Sequence, residues 1–144
     1  VPYWKDTVLE QIEAFNPYRR VEAETMAWGY GLKTGKRQDG GIYVTRIDDG
    51  DTLCLRGVDF GKRGARRFRA AVASEKGDCS IEIHLDRADG PMVGTLHLKA
   101  TGGMDQYEQL ECPVKGAKGK HDLVFLFKGG AGKNLLNWDY WEFN

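Results

Sequence analysis

Residues 79–86, CSIEIHLD, most narrowly limit what this chain can fold into. Ile81, Ile83 and Leu85 alternate with Ser80, Glu82, His84 and Asp86. A period of two is the pattern of a strand with one face in a core and the other in water. The rhythm returns in HDLVFLFK, where Leu123, Phe125 and Phe127 share a face. The runs GGIYVTRI, DTLCLRGVDF, RRFRAAVAS, TLHLKA, YEQLECPV and NLLNWDYWEF are also strand-like. They are punctuated by turn-forming segments such as DDGD and ADGPMVG, and the 19 glycines fall mostly between them. Eight or more short strands at this spacing, with almost no helical periodicity, predict an all-β sandwich or barrel.

The totals narrow the partners. A chain of 144 residues suits one domain with a real core. Twenty-one Lys and Arg balance 21 Asp and Glu, and this argues against nucleic acid, whose binders carry a basic excess. No apolar run approaches the ~20 residues that span a bilayer, and no signal peptide is visible. Residue 1 is a valine, which reads as a piece processed or excised from a longer chain. Residues 1–20 differ from the rest: KDTVLEQIEAF has near-helical apolar spacing and ends at Asn16-Pro17. This stretch is expected to be a short helix or a linker from an upstream domain, with the module proper at 21–144. Cys54, Cys79 and Cys112 allow at most one internal disulfide, or stay reduced. No Cys/His spacing matches a zinc site.

In order and spacing, RVEAETMAW, IDDGDTLCLRGVDFG, AAVAS…SIEIHLD…GPMVGTL, TGG, HDLVFLFKGGAG and LLNWDYWEF resemble the family 6 carbohydrate-binding modules, over about Val21 to Phe143. NPYRRVEAETMAW is similar to the junction that precedes such a module in family 43 glycoside hydrolases acting on arabinoxylan or similar polymers. The resemblance implies a jelly-roll β-sandwich of two antiparallel sheets, usually with one structural calcium.

That calcium bears on VEAETMAW, where a strand would put the Glu22 and Glu24 carboxylates on one face. From spacing alone they read as a solvated strand face. Calcium takes about 6–8 oxygen ligands, and in the family the first and last strands lie together and supply them. The resemblance therefore implies Glu22, Glu24 and Asp139 as metal ligands. Asp48, Asp49 and Asp51 read as turn residues.

Catalysis is not expected. Two same-face glutamates fall within the ~5–9.5 Å range of glycosidase carboxyl pairs, but no second acidic cluster or aromatic-lined groove can be assigned around them. His84, His97 and His121 fall on different strands, and GGAGKN does not fit a phosphate loop.

Sugar recognition needs flat rings for C–H faces and polar groups for hydroxyls. The family commonly clamps a sugar between two rings at the loop edge, with an asparagine nearby. Here the matching positions hold Arg46 and Met104, whose long apolar stems cover a sugar face with less rigidity. Asn134 is the matching asparagine, with Asn137 its rival. Asp105 is a further acceptor, and Tyr30 and Tyr43 are additional rings. A second family site, on a concave sheet face, would draw on Glu82, His84 and Tyr140. Trp28 and Trp141 are expected in the core.

The expected function is non-catalytic binding of plant cell-wall xylan or arabinoxylan, for an upstream glycoside hydrolase in a secreted, periplasmic or cell-surface setting. The alternatives are a module that packs on its catalytic domain with sugar binding lost, and a small lectin-like protein.

Overall fold

The computed structural model describes residues 16–22, 33–36, 42–45, 47–130, 132 and 134–144; the side chains of 22, 33–36 and 42–45 are not among them. The expected helix before Asn16 lies outside the described residues. Among them are ten strands and no helix: β1 Val21–Glu22, β2 Lys33–Lys36, β3 Ile42–Thr45, β4 Thr52–Asp59, β5 Arg67–Ala73, β6 Cys79–Leu85, β7 Met92–Leu98, β8 Glu108–Pro113, β9 Lys120–Gly129 and β10 Asn137–Phe143. They form the expected jelly-roll sandwich. One sheet runs β2-β3-β10-β5-β8, with β1 also on β10, and the other runs β4-β9-β6-β7. Every pairing is antiparallel.

The alternation read in the sequence is kept where the core demands it. Ile81 and Ile83 on β6, and Leu123, Phe125 and Phe127 on β9, are fully buried. β10 departs from strict alternation: Trp138, Trp141 and Phe143 all enter the core. This works because the register against β5 shifts between Trp138 and Tyr140. One extra residue, Asp139, changes the phase of the strand, as a β-bulge does. β4 repeats the device between Leu55 and Val58. There Gly57 adopts φ +68°, open to glycine at no steric cost, and its N–H donates to Asp122 Oδ1 at 3.1 Å.

Aromatic rings fill the gap between the sheets. Phe68 of β5 lies 5.0 Å from Phe143, 5.5 Å from Phe125, 6.2 Å from Trp141 and 6.5 Å from Trp138, centroid to centroid. Trp141 is core, as expected; Trp28 lies outside the described residues. β2, KTGK, has no strand signal in its sequence, because two lysines and a glycine carry no β signature; it forms by pairing with β3.

All three cysteines are free thiols, with Cys79 and Cys112 buried and Cys54 exposed. Burial pushes the Cys112 thiol up to about 11, helped by Glu111 and opposed by a hydrogen bond with the Thr95 backbone.

The segment before β1 is tied down at its described end. The Phe143 N–H donates to the Pro17 carbonyl at 2.9 Å, and the Tyr18 hydroxyl donates to the Phe60 carbonyl.

Because Phe68 touches rings from both sheets, Phe68→Ala is expected to cost about 3–5 kcal/mol, read as a lower midpoint in urea unfolding. A loss under ~1 kcal/mol would show that the rings do not hold the sheets together.

Candidate carbohydrate site

The rim that should meet a ligand is made of three loops, each fixed by local chemistry. In the β3–β4 loop, the Asp51 N–H donates to the Asp48 carbonyl at 3.0 Å, and the Asp48 N–H donates to Asp51 Oδ2 at 2.8 Å. This loop is clipped to the β9–β10 loop. Asp48 Oδ1 accepts from the Asn134 N–H at 2.9 Å, and Asp49 Oδ1 accepts from the Gly129 N–H at 3.1 Å. The Leu135 N–H donates to the Ile47 carbonyl at 2.8 Å. All three aspartates spend carboxylates on backbone donors: Asp51 closes the turn read from DDGD, while Asp48 and Asp49 hold backbone distant in the chain.

The TGG loop is anchored on Ser74. The Thr101 N–H donates to the Ser74 carbonyl at 2.8 Å, and Thr101 Oγ1 accepts from the Ser74 N–H at 3.0 Å. Thr101 Oγ1 also bonds the Gly103 carbonyl at 3.1 Å. This presents Met104, half-buried, and Asp105, exposed. Asn137, at the first position of β10, donates from Nδ2 to the Met104 carbonyl at 2.7 Å. Its side-chain oxygen is buried and has no hydrogen-bond partner among the described residues. Asn134 is exposed at φ +50°, a left-handed conformation that asparagine tolerates better than most residues.

Met104 and Asn137 are therefore in direct contact, while Asn134 is held on the neighbouring loop. Arg46 and Tyr30 lie outside the described residues. Tyr43 is on β3, its backbone opposite Gly35, and its side chain is not described. Asp49, Asp78, Ser80, His97 and Lys128 line an open depression of about 400 Å³ beside the same clipped loops. No sequence signal marked it, because its residues come from four separate segments.

Glu82, His84 and Tyr140 cannot form one site, and this corrects the sequence reading. Glu82 and His84 lie on the outer face of the four-stranded sheet, opposite the buried Ile81 and Ile83 on their own strand. Glu82 Oε1 and the Gly90 carbonyl each lie 2.9 Å from a His84 ring nitrogen. Tyr140 belongs to the other sheet, where its hydroxyl accepts from Gln109 Nε2 at 3.1 Å and Arg20 lies over its ring, Cζ 3.8 Å from the centroid. The core separates the two outer faces.

For a cation, β1 and β10 do meet: Val21 pairs with Trp141 and Glu22 with Tyr140. Asp139, the buried bulge residue, precedes Tyr140. On the same edge of β10, β3 pairs at Trp138, so Asp139 sits where that edge changes partner from β3 to β1. Glu22 and Asp139 are thus on adjacent strands, and hard carboxylate oxygens suit calcium. Glu24 lies outside the described residues. Among the described residues no three metal-binding side chains gather.

Residues 22–144 match the model of the family described as carbohydrate binding module (family 6). This chain belongs to that family. It is 46% identical over 140 residues to an arabinoxylan arabinofuranohydrolase of Bacillus subtilis (strain 168), covering 94% of the chain and 27% of that relative. The module thus spans about a quarter of that curated relative. Among solved structures, a family 43 arabinoxylan arabinofuranohydrolase from Bacillus subtilis, in complex with cellotetraose, superposes with TM-score 0.87 at 46% identity, covering 92% of this chain and 28% of that one. A family 6 module from Clostridium cellulolyticum, in complex with xylose, superposes with TM-score 0.83 at 36% identity, covering 90% of this chain and 99% of that one. Among the described residues no helix is long and apolar enough to cross a membrane.

Asp48→Ala removes the acceptor of the Asn134 N–H. It should cost about 1 kcal/mol and speed amide exchange at Asn134 and Leu135. Unchanged protection there would show that Asp48 does not clip the two loops.

Proposed function

We propose that this module binds xylan- or arabinoxylan-type polysaccharide at the loop rim and serves a glycoside hydrolase domain in the same chain, in a secreted, periplasmic or cell-surface setting. The observation that carries this is Asn137. Its amide is fixed to Met104 at 2.7 Å and leaves a buried oxygen without a donor among the described residues. A buried acceptor left unmet costs about 1–3 kcal/mol, and a sugar hydroxyl is a donor that can remove this cost. Met104 supplies an apolar stem in place of a ring, and Asp105 an exposed acceptor. Arabinoxylan and xylose appear in the names of the relatives above, and that supports this substrate class. Binding by such a site is weak, and its value lies in effective concentration on an insoluble polymer.

One observation favours the second reading, a module that packs on its catalytic domain. Asn137 is only 4% exposed, so a sugar reaches it only if the Met104 loop shifts. Affinity electrophoresis separates the two. Retardation in arabinoxylan gels, lost in Asn137→Ala and strengthened several-fold in Met104→Trp, supports the rim site; a ring restores stacking area. No retardation in xylan, arabinoxylan, β-glucan or cellulose gels would leave the packing role.

The second part of this reading is structural calcium held by Glu22, Glu24 and Asp139. Bound there, the ion would offset the negative charge of these carboxylates and tie β1 to β10. The side chains would act only as oxygen donors. A ligand that binds only the folded state raises its stability by mass action, so EDTA should lower the melting temperature and calcium restore it. Asp139→Asn should blunt that response. A melting temperature indifferent to both reagents would remove the metal from the fold.

A further inference from the structure

The chain is formally neutral, yet its charge is segregated. The β4–β5 loop reads FGKRGAR and the β8–β9 loop VKGAKG, and neither contains an acid. Backbone hydrogen bonds join the two loops: Phe60 N–H to the Gly119 carbonyl at 2.8 Å, Ala65 N–H to the Ala117 carbonyl at 2.9 Å, and Gly119 N–H to the Gly61 carbonyl at 2.9 Å. Gly64, at φ +77°, permits the closest approach, because a Cβ there would stand 2.5 Å from the Ala117 carbonyl oxygen. Lys62, Arg63, Arg66, Lys115 and Lys118 are all exposed on this joined surface, and none forms an ion pair among the described residues.

Three acids at the same end have partners. Asp59 Oδ1 accepts from the Gly61 N–H at 2.9 Å, and Asp59 stands opposite Lys120 in register. Asp86 meets His121 at 3.1 Å, and Asp89 meets Arg87 at 2.8 Å. One aromatic ring is pinned beside the cations: Tyr18, 37% exposed, bonds the Phe60 carbonyl two residues before Lys62. Desolvation, and then Asp59, hold its hydroxyl above the usual range, so it stays neutral.

We infer that the joined β4–β5 and β8–β9 loops bind a carboxylate-bearing polysaccharide, one with uronic acid groups. The five cations attract the carboxylates, and the fixed Tyr18 ring offers a face for a sugar. A neutral glycan would leave the charges unused, and an apolar protein surface would find little to pack on. The surface is separate from the rim site. β10 starts at Asn137, and beyond its far end the Asn144 carbonyl accepts from the Arg66 and Arg67 N–H groups. Seven residues of strand put the two ends about 20 Å apart. The inference draws on the carbohydrate-binding reading only for the class of polymer.

The 144-residue chain is to be run through gels containing glucuronoxylan or the same polymer after carboxyl reduction, with and without 0.5 M NaCl. Retardation should be at least about fivefold stronger with the carboxylated polymer, and salt should erase the difference by screening exposed charges. Lys62→Glu, Arg63→Glu and Lys118→Glu together should abolish the difference at an unchanged melting temperature, and the matching glutamine triple should reduce it. Asn137→Ala should weaken binding of the reduced polymer and leave the carboxylate-dependent increment. Equal retardation by both polymers, or an increment that survives charge reversal, overturns the inference while leaving the rim site standing. Capture by phosphatidylglycerol vesicles that matches capture by glucuronoxylan also overturns it, since the surface would then read charge without sugar.

Discussion

The bulge at Asp139 governs much of this molecule. A strand of unbroken alternation would send Trp138 to one face and Trp141 and Phe143 to the other. The extra residue puts all three rings in the core. There they meet Phe68 from the same sheet and Phe125 and Phe127 from the facing one. Ring contacts of this kind add to the area they bury. The same residue marks the point where one edge of β10 passes from β3 to β1. A single irregularity thus fills the core, joins the first strand to the last, and places an acid at their junction.

The ends of the sandwich are shaped by different means. At the rim, aspartate carboxylates and backbone N–H groups bind the β3–β4 loop to the β9–β10 loop, and Ser74 anchors the TGG loop. Across this rim the Asn137 side-chain amide bonds the Met104 carbonyl. At the opposite end, backbone-to-backbone bonds join two glycine-bearing loops, which leaves their long basic side chains in water. A formal charge of zero therefore conceals a basic end.

The free thiols show how folding separates residues that composition treats alike. Cys54 points to water from β4, while Cys112 is buried in β8 and its thiol is raised to about 11. The histidines divide similarly. His84 is enclosed between Glu82 and the Gly90 carbonyl, and His97 is exposed on the next strand.

The sequence alone determined the strands with a strong period of two, β6 and β9 above all, because burying one face of a sheet requires that alternation. It also determined the DDGD turn, which Asp48 and Asp51 close on each other; that Asp48 and Asp49 also hold Asn134 and Gly129, distant in the chain, was decided by the tertiary structure. The family resemblance, carried by motifs along the whole module, pointed to the jelly roll. Tertiary structure decided what depends on partners distant in the chain. β2 exists because β3 is beside it. Tyr140 falls on the opposite side of the sandwich from Glu82 and His84, because β10 and β6 belong to different sheets. Asn137 is the residue that touches Met104, because the bulged last strand starts directly beneath the TGG loop. A linear pattern reports which face of its own element a side chain takes; it carries no record of which other element that face will meet.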